Sequence, residues 1–257
     1  MASTPTVILI TGANRGLGRG LAETYLARPN VTLVAGVRDP SSASALSLSS
    51  APAGAGSKVV LVKIDSQSDT DAAAAVATLK AQGITQIDVA IANAGVANVF
   101  GQVHEIAPAD QRRFVEINTL GPLKLYAAVR PLLLAAAAAG RGTPKFVGVS
   151  TMAATTGEVE TTVPYRNGAY AASKAMLNHL LRRAHFESEG IAVFAVDPGF
   201  FDSDMGKEGA SILGYDGPLT SLESVTAGTV REIDNTTRES AGSKDGYIGW
   251  EGKRLAY

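Results

Sequence analysis

Short apolar runs alternate with longer stretches of mixed polarity along the whole chain. Seven such runs stand out, at residues 7–10, 31–37, 58–64, 87–92, 146–149, 192–196 and 247–249. Several are rich in valine and isoleucine and end at a glycine or a polar residue, as strands do when both faces of a parallel sheet are buried. We therefore predict seven strands.

The stretches between these runs have the spacing of helices. They cover residues 17–28, 69–82, 108–138, 170–188 and 221–234. Strands separated by helices of this length form βαβ units, which build a right-handed, mostly parallel sheet with helices on both faces. Because no linker interrupts the pattern, residues 1–257 are predicted to form a single Rossmann-type, doubly wound α/β domain.

Residues 40–57 fit this pattern poorly, although they lie where the helix between the second and third strands belongs. Alanine and leucine favour a helix here, whereas the serines, the glycines and Pro52 oppose one. We expect a short, frayed helix followed by a flexible loop.

Composition narrows the classes of partner. The 257 residues are 46% hydrophobic, enough for a large core, and the formal net charge of −1 comes without a block of lysine or arginine. Nucleic acid and acidic membrane surfaces are therefore poor partners. The chain has no cysteine, and His104, His179 and His185 lack the spacing of metal ligands, so no metal is expected. Because neither a secretory signal nor a membrane span is recognisable, we expect a soluble, cytoplasmic protein.

A glycine-rich turn follows the first strand and opens the first helix. Its sequence is Thr11-Gly12-Ala13-Asn14-Arg15-Gly16-Leu17-Gly18. Glycines permit a tight turn and a close backbone approach, so that the first amides of the helix face a pyrophosphate. The spacing is TGxxxGxG rather than GxGxxG, but the strand before it and the helix after it are the required context. The candidate cofactor residues here are Gly12, Asn14, Arg15, Gly16, Leu17 and Gly18.

Tyr170 and Lys174 lie four residues apart on a predicted helix, and therefore on one face of it. A free phenol has a pKa of about 10. An ammonium at roughly 4 Å, with an effective dielectric constant of about 20, is worth on the order of 4 kcal/mol, or roughly three pKa units. We therefore expect Lys174 to lower the pKa of Tyr170 towards neutrality, where the phenol suits acid–base catalysis.

With Asn93-Ala94-Gly95 after the fourth strand, these motifs resemble those of the short-chain dehydrogenase/reductase family. The resemblance spans essentially the whole chain, and each motif follows the expected strand. Residues 145–153 and 197–206 are most similar to those of fungal ketoreductases of the norsolorinic-acid reductase type and of carbonyl reductases. The resemblance implies an oxidoreductase that assembles as a homo-dimer or homo-tetramer.

The second strand ends in Val37-Arg38-Asp39. Residues at this place select between NAD and NADP(H). An NAD site usually places a carboxylate about 20 residues past the glycines. By the family's pattern, Val37 takes that position and Arg38 follows it. A guanidinium there can bind a 2′-phosphate through paired charge-assisted bonds, and Arg15 can add a second cation. We predict NADP(H), with Asp39 as the residue that would select NAD if the alignment shifted by one position.

The resemblance implies further contacts along the adenosine half of the cofactor. Asp65 ends the third strand and is expected to bond the adenine amino group. Asn93, Ala94 and Gly95 are expected to pass along the adenosine ribose, with Asn93 also bracing the central sheet.

At the nicotinamide half, the implied contacts lie after the sixth strand. Pro198, Gly199 and the backbone that follows, including Phe201, are expected to border the nicotinamide ring. Ser203 takes a position from which the family bonds the carboxamide.

Hydride transfer to a ketone places negative charge on the carbonyl oxygen, which calls for a proton donor and an oxyanion partner. Tyr170 is the predicted donor. The resemblance implies that Lys174 also bonds the nicotinamide ribose and that Asn118 ties a proton-relay water to Lys174. For the hydroxyl at the end of the fifth strand, we favour Thr151 over Ser150.

Residues 200–222 mix glycines with apolar side chains, a composition typical of a substrate lid. An insertion at 155–168 is expected to reshape the rim of the pocket. The candidate substrate wall consists of Val96, Met152, Phe200, Met205, Leu213 and Tyr215.

The sequence therefore predicts NADPH-dependent reduction of a hydrophobic, polyketide-like ketone. The alternatives are an NAD-linked alcohol dehydrogenase and, from another class, a dinucleotide-binding sensor without turnover.

Overall fold

One eight-stranded sheet forms the centre of the computed structural model, which describes residues 4–243 and 246–257. The strands are β1 (Thr6–Thr11), β2 (Val31–Val37), β3 (Lys58–Lys63), β4 (Val89–Ala92), β5 (Lys145–Val149), β6 (Ala192–Asp197), β7 (Tyr247–Gly249) and β8 (Arg254–Leu255). Their spatial order is β3-β2-β1-β4-β5-β6-β7-β8. All neighbours are parallel except β7 and β8. The doubly wound parallel sheet is confirmed, with one short antiparallel strand more than predicted.

Ten α-helical segments connect or flank these strands within the described residues. They are α1 (Gly16–Leu26), α2 (Ala43–Leu46), α3 (Asp71–Ala81), α4 (Pro108–Val115), α5 (Gly121–Ala138), α6 (Val159–Thr162), α7 (Gly168–Glu187), α8 (Asp204–Leu213), α9 (Leu222–Asn235) and α10 (Arg238–Gly242). The five predicted helical stretches are all present, and α6, α8 and α10 are additional.

The two faces of the sheet bury separate apolar layers, as the continuous apolar strands require. Along β1, Val7 and Leu9 join the layer formed with α3, α5 and α7. Ile8 and Ile10 point the other way, into the layer formed with α1, α9 and α10. Because successive side chains of a strand face opposite sides, both layers need apolar residues from the same strand.

Residues 40–57 contain a helix as short as expected, since α2 has four residues and a 3₁₀ turn over Ser47–Ser50 follows it. The loop after this turn is bonded to the end of α1. Gly54 N donates to Leu26 O (2.9 Å), and Ser57 Oγ donates to Arg28 O (2.6 Å). Backbone groups at a helix end need partners, and this loop provides them.

The stretch 108–138 consists of α4, a π-helical turn over Glu116–Leu120, and α5. By length and composition alone it is long and apolar enough to cross a membrane, which corrects the expectation that no segment meets that test. One face of it packs in the core. Leu125, Val129 and Leu132 are buried in the layer shared with α3, α7 and the sheet.

The carboxyl ends of the parallel strands meet at one edge of the sheet. The chain reverses its winding between β1 and β4, and ligands of such sheets bind in the crevice at that reversal. The residues that follow β1 to β6 are therefore neighbours, although they are far apart in sequence.

The opposite edge is held by Asp88, which precedes β4. Its Oδ2 accepts Val7 N (2.7 Å), and Arg141 Nε donates to its Oδ1 (2.8 Å). Arg141 also donates to Pro5 O (2.8 Å). The carboxylate thus joins β1, β4 and the segment before β5.

We expect Asp88→Ala to lower the free energy of unfolding by about 2–3 kcal/mol, because Val7 N and the Arg141 guanidinium lose a shared, partly buried partner. Urea unfolding followed by circular dichroism measures the change. Asp216→Ala, at an exposed position, is the control and should stay within about 0.5 kcal/mol of the parent. Equal effects of the two substitutions would contradict this role of Asp88.

Candidate active site

The glycine turn between β1 and α1 depends on backbone conformations that favour glycine. Gly12 and Gly16 have φ of +66° and +51°, and Gly12 N donates to Gly36 O (2.8 Å). A Cβ on Gly18 would overlap the Gly12 carbonyl, whereas a Cβ on Gly16 would meet open space. The turn is therefore closely packed at Gly18 and open at Gly16, where the resemblance implies a pyrophosphate. Leu17 is buried in the core and supports the turn from below.

The side chains of the turn differ in their environments. Asn14 Nδ2 donates to Ser44 Oγ (2.9 Å), which ties the turn to α2. Arg15 is exposed and precedes α1 with an extended backbone.

The end of β2 presents the exposed side chains of Arg38 and Asp39. Within residues 4–243 and 246–257, neither the Arg15 nor the Arg38 guanidinium forms a hydrogen bond or an ion pair. Asp39 Oδ1 accepts Ser41 Oγ (2.6 Å) and Ser41 N (2.8 Å), and these bonds lower the pKa of the Asp39 carboxyl. The two arginines are available to an anion, whereas the carboxylate is engaged in its own turn.

Thr11, the last residue of β1, bonds the chain that leaves β4. Its Oγ1 accepts the backbone N–H groups of Asn93 and Ala94 (3.1 Å each), and Asn93 Nδ2 donates to Thr11 O (2.9 Å). Asn93 thus braces the sheet where the winding reverses. Thr11 was not among the predicted site residues, although a hydroxyl residue immediately before the glycine turn was a usable signal.

Asp65 lies just beyond β3, at the same edge. Its Oδ1 accepts Gln67 N (3.0 Å), and its own N–H donates to Asp71 Oδ2 (3.1 Å). A small cleft beside it is lined by Ile64, Ser66 and Ala94. The two chain neighbours of Asp65 line this cleft, and the adenine contact of Asp65 implied by the resemblance stays a prediction.

Asn118 is fully buried in the π-helical turn and joins three segments. Its Oδ1 accepts Val96 N (2.9 Å), while Nδ2 donates to Val96 O (2.9 Å) and to Ser173 Oγ (3.1 Å). A Cβ on Gly95 would lie only 3.2 Å from Asn118 Oδ1, so the loop after β4 passes close to this amide. The side chain of Asn118 has a structural role, and its part in a proton relay stays a prediction.

Lys174 is 3% exposed, and its Nζ donates to Val149 O (2.6 Å) at the end of β5. The same nitrogen lies 5.9 Å from the centre of the Tyr170 ring. Burial lowers the pKa of Lys174 to about 8. The amine is thus directed primarily at the strand end, with the Tyr170 ring beside it.

Burial raises the pKa of the Tyr170 phenol, and the charge of Asp197 raises it further. The expectation that Lys174 lowers this pKa is wrong for the described structure. Its Nζ bonds to Val149 O, and burial penalises the charged forms of both the phenol and the amine. A phenol with a raised pKa keeps its proton at neutral pH, but it is a weaker acid than one whose pKa lies near the working pH.

The two candidate hydroxyls after β5 differ in exposure. Ser150 is 2% exposed, and its Oγ has no hydrogen-bond partner in the part of the chain that the structure describes. Thr151 is partly exposed, and its Oγ1 accepts Ala153 N (3.3 Å). An accessible hydroxyl can reach a substrate oxygen, so the geometry favours Thr151.

Asp197, the last residue of β6, is a buried carboxylate that the list of predicted site residues did not include. Its Oδ2 accepts Met152 N (2.9 Å), and its Oδ1 accepts Gly199 N (2.8 Å). Burial raises the pKa of this carboxyl to about 6. Pro198 is buried beside it, and Gly199 turns the chain with φ of +69°. An acidic residue that ends an otherwise apolar strand was the signal in the sequence.

The predicted lid contains a helix. α8 begins after Ser203, whose Oγ accepts Gly206 N (3.0 Å), so this hydroxyl caps the helix in addition to any contact with a carboxamide. Phe201 pairs with Thr220 in a short parallel bridge and packs against the core. The bridge between Phe201 and Thr220 therefore holds together the two ends of the segment 202–219.

Four of the six residues predicted for the substrate wall are large and exposed. Phe200 and Tyr215 contact edge to face with ring centres 5.8 Å apart. Val96 is held at its backbone by Asn118. Leu213 ends α8, and its side chain lies outside the described part of the structure. The exposed residues are Met152, Phe200, Met205 and Tyr215.

The insertion at 155–168 forms 3₁₀ turns and α6, and it is bonded to the loop around residue 101. Gly101 N donates to Arg166 O (2.7 Å), and Arg166 pairs with Glu105 (3.2 Å). The insertion is therefore bonded to the segment around residues 101–105, and its effect on the rim of the pocket stays a prediction.

Comparisons of the sequence with known proteins agree with this geometry. The family model described as short chain dehydrogenase matches residues 6–211. The chain is 36% identical to the short chain dehydrogenase gsfK of Penicillium aethiopicum, over 98% of this chain and 100% of that protein. It is 37% identical to the norsolorinic acid ketoreductase nor1 of Dothistroma septosporum, over 93% of this chain and 88% of that protein.

Among solved structures, the chain is similar to an NADPH-bound carbonyl reductase from chicken fatty liver. The TM-score is 0.84 at 26% identity, and the match covers 99% of this chain and 100% of that one.

Proposed function

The chain belongs to the short-chain dehydrogenase/reductase family, and we propose that it reduces the carbonyl group of a hydrophobic ketone or aldehyde with NADPH. The observation that carries this proposal is the placement of Tyr170, Thr151 and Lys174 around the ends of β5 and α7. Tyr170 is the acid, Thr151 is the hydroxyl donor and Lys174 is the buried amine. The glycine turn between β1 and α1 is the proposed site of the pyrophosphate.

Each residue of the site has a separate role in the proposed reduction. When bound, NADPH supplies the hydride that adds to the carbonyl carbon. Tyr170 donates its phenolic proton to the oxygen as negative charge develops there, and the Thr151 hydroxyl stabilises that charge with a hydrogen bond. Lys174 sits one helical turn beyond Tyr170, where its amine can hold the cofactor ribose and restore the tyrosine's proton. In the reverse direction the same groups take the proton from an alcohol.

Two observations support NADPH over NADH. Arg15 and Arg38 are exposed, and their guanidinium groups have no partner in the described residues, so both are available to a 2′-phosphate. The Asp39 carboxylate, which would bind a free ribose hydroxyl, is bonded instead to Ser41. The similarity to an NADPH-bound carbonyl reductase points the same way.

The substrate we propose is apolar and polyketide-like. Four of the residues predicted for the substrate wall are exposed and apolar, and two of them, Phe200 and Tyr215, form an aromatic pair. The other two are Met152 and Met205. The similarity to norsolorinic acid ketoreductases supports the same class of ketone.

We also propose a homo-dimer or homo-tetramer assembled through α5 and α7. Leu123 on α5 and Met176 on α7 are each 43% exposed, and an apolar cleft lies between the two helices. Exposed apolar surface of this kind is typical of a protein interface.

Tyr170→Phe should lower kcat for carbonyl reduction by about 10²–10⁴-fold, because the proton donor is lost. NADPH binding should persist. The assay follows NADPH absorbance with a panel of aromatic, steroid, aliphatic and quinone carbonyls. Tyr126→Phe is the matched control, since this phenol bonds Ser188 Oγ away from the site. Near-normal turnover of Tyr170→Phe would refute the mechanism, and tight NADPH binding by the parent without oxidation across the panel would favour a sensor.

Arg38→Gln should weaken NADPH far more than NADH. A charge-assisted bond is worth about 1.5–3 kcal/mol, so the preference for NADPH should fall by roughly 10- to 150-fold. The ratio of kcat/KM for the two cofactors measures it. Arg183→Gln removes an exposed arginine paired with Glu187 and should leave the ratio unchanged. An unchanged ratio in Arg38→Gln would favour an NAD-linked alcohol dehydrogenase.

A further inference from the structure

One carboxylate joins the two loops between which the proposed reaction takes place. Asp197 is 6% exposed at the end of β6. One of its oxygens accepts Met152 N (2.9 Å), in the peptide that follows Thr151, and the other accepts Gly199 N (2.8 Å). The first loop presents the hydroxyl for the substrate, and the second is expected to border the nicotinamide.

We propose that Asp197 is a positioning residue for carbonyl reduction, which fixes the Thr151 loop relative to the Pro198–Gly199 turn. The effect of Asp197 on the rate of reduction rests on the proposed function, whereas its role in holding the two loops together does not. Because the Thr151–Met152 peptide is bonded to Asp197, the Thr151 backbone cannot turn its hydroxyl away without breaking that bond. A displacement of 1 Å at a reacting group can lower a rate about a hundred-fold, so such a tie matters to turnover.

The bonding pattern requires a carboxylate at this position. Two backbone N–H donors converge on the side chain, and an ionised carboxylate offers two acceptors and no donor. Asparagine has the same outline but would direct its amide group at one of the two N–H groups. The Gly199 turn is also packed on its other side, since a Cβ there would lie 3.0 Å from Trp250 Nε1. Trp250 N in turn donates to Asp197 O (2.9 Å).

The charge of Asp197 also acts on the acid of the site. The titratable groups that interact with it are the phenols of Tyr170 in α7 and Tyr247 in β7, and its charge raises the pKa of both beyond the effect of their burial. The Lys174 amine, in the same helix as Tyr170, is bonded to Val149 O. An ionised Asp197 thus favours the protonated form of Tyr170.

Protonation should weaken the tie at acid pH. Burial raises the pKa of Asp197 to about 6, so the carboxylate form dominates above that pH and is lost as the pH falls through it. The neutral acid keeps one carbonyl oxygen as an acceptor, but its hydroxyl oxygen is a weaker acceptor than a carboxylate oxygen, so one of the two backbone bonds is weakened.

Amide hydrogen exchange tests the structural part without any turnover. We compare the parent, Asp197→Asn and Asp88→Asn at pH 7.5, and the parent also from pH 7.5 to 5, after correction for intrinsic exchange. In Asp197→Asn, the amide of Met152 or of Gly199 should exchange at least about tenfold faster than in the parent, because the loss of a bond makes local opening easier. Asp88→Asn should affect Val7 instead, whose amide it bonds. In the parent, protection at Met152 or Gly199 should fall as the pH drops through about 6.

Unchanged protection at both amides in Asp197→Asn would overturn the proposal. If that variant does not fold, the pH series of the parent decides, and protection that does not vary with pH overturns it.

Kinetics test the consequence for catalysis. Asp197→Asn should lower kcat for carbonyl reduction by about 10- to 100-fold while KM for NADPH stays within about threefold. Asp88→Asn should leave kcat per folded enzyme unchanged. A lost amide protection with an unchanged kcat would overturn the positioning role. If the parent itself reduces no carbonyl, the proposed function fails, and the exchange experiment alone decides whether Asp197 joins the loops.

Discussion

The hydrogen bond from Lys174 Nζ to the Val149 carbonyl oxygen is the contact on which the site depends. It brings a buried amine from α7 to the end of β5, where the amine bonds the carbonyl oxygen of the last residue of the strand. Burying an ammonium costs several kcal/mol unless it is well bonded, and the lowered pKa of Lys174 shows that burial acts against its charge. Because Tyr170 lies one helical turn before Lys174, the same bond places the phenol near the loop that carries Thr151.

Other buried polar side chains hold the remaining strand ends in the same way. Thr11 bonds the backbone after β4, Asn118 bonds the loop at Val96, and Asp197 bonds the loops after β5 and β6. Each of these side chains bonds backbone groups that a parallel sheet leaves unpaired where its strands stop. Satisfied networks of this kind are rigid, and rigid polar groups stabilise a developing charge without reorganisation.

The main elements of the fold could be predicted from the sequence because the strands are buried on both faces and therefore read as continuous apolar runs. The helix α8 could not, since Gly206 and Gly209 lower its intrinsic propensity, and its cap at Ser203 becomes visible only in three dimensions. β8 has only two residues, too few for a pattern.

The candidate site was predictable where a residue's role follows from its place in a motif, as for the glycine turn, Tyr170 and Lys174. The direction of the Tyr170 pKa shift was not, because spacing along a helix gives the distance of Lys174 but not the burial of either group. The role of Asp197 could not be predicted for a related reason: one carboxylate in a sequence does not reveal which two backbone amides converge on it.

The central claim is that these strand ends assemble a site for hydride transfer to a carbonyl carbon. The most direct test is reduction of an active ketone with NADPH carrying deuterium at the transferred position of its nicotinamide, followed by mass and NMR analysis of the alcohol. We expect one deuterium on the carbinol carbon for each NADPH oxidised. An alcohol without deuterium on that carbon, formed with either stereospecifically labelled NADPH, would contradict it.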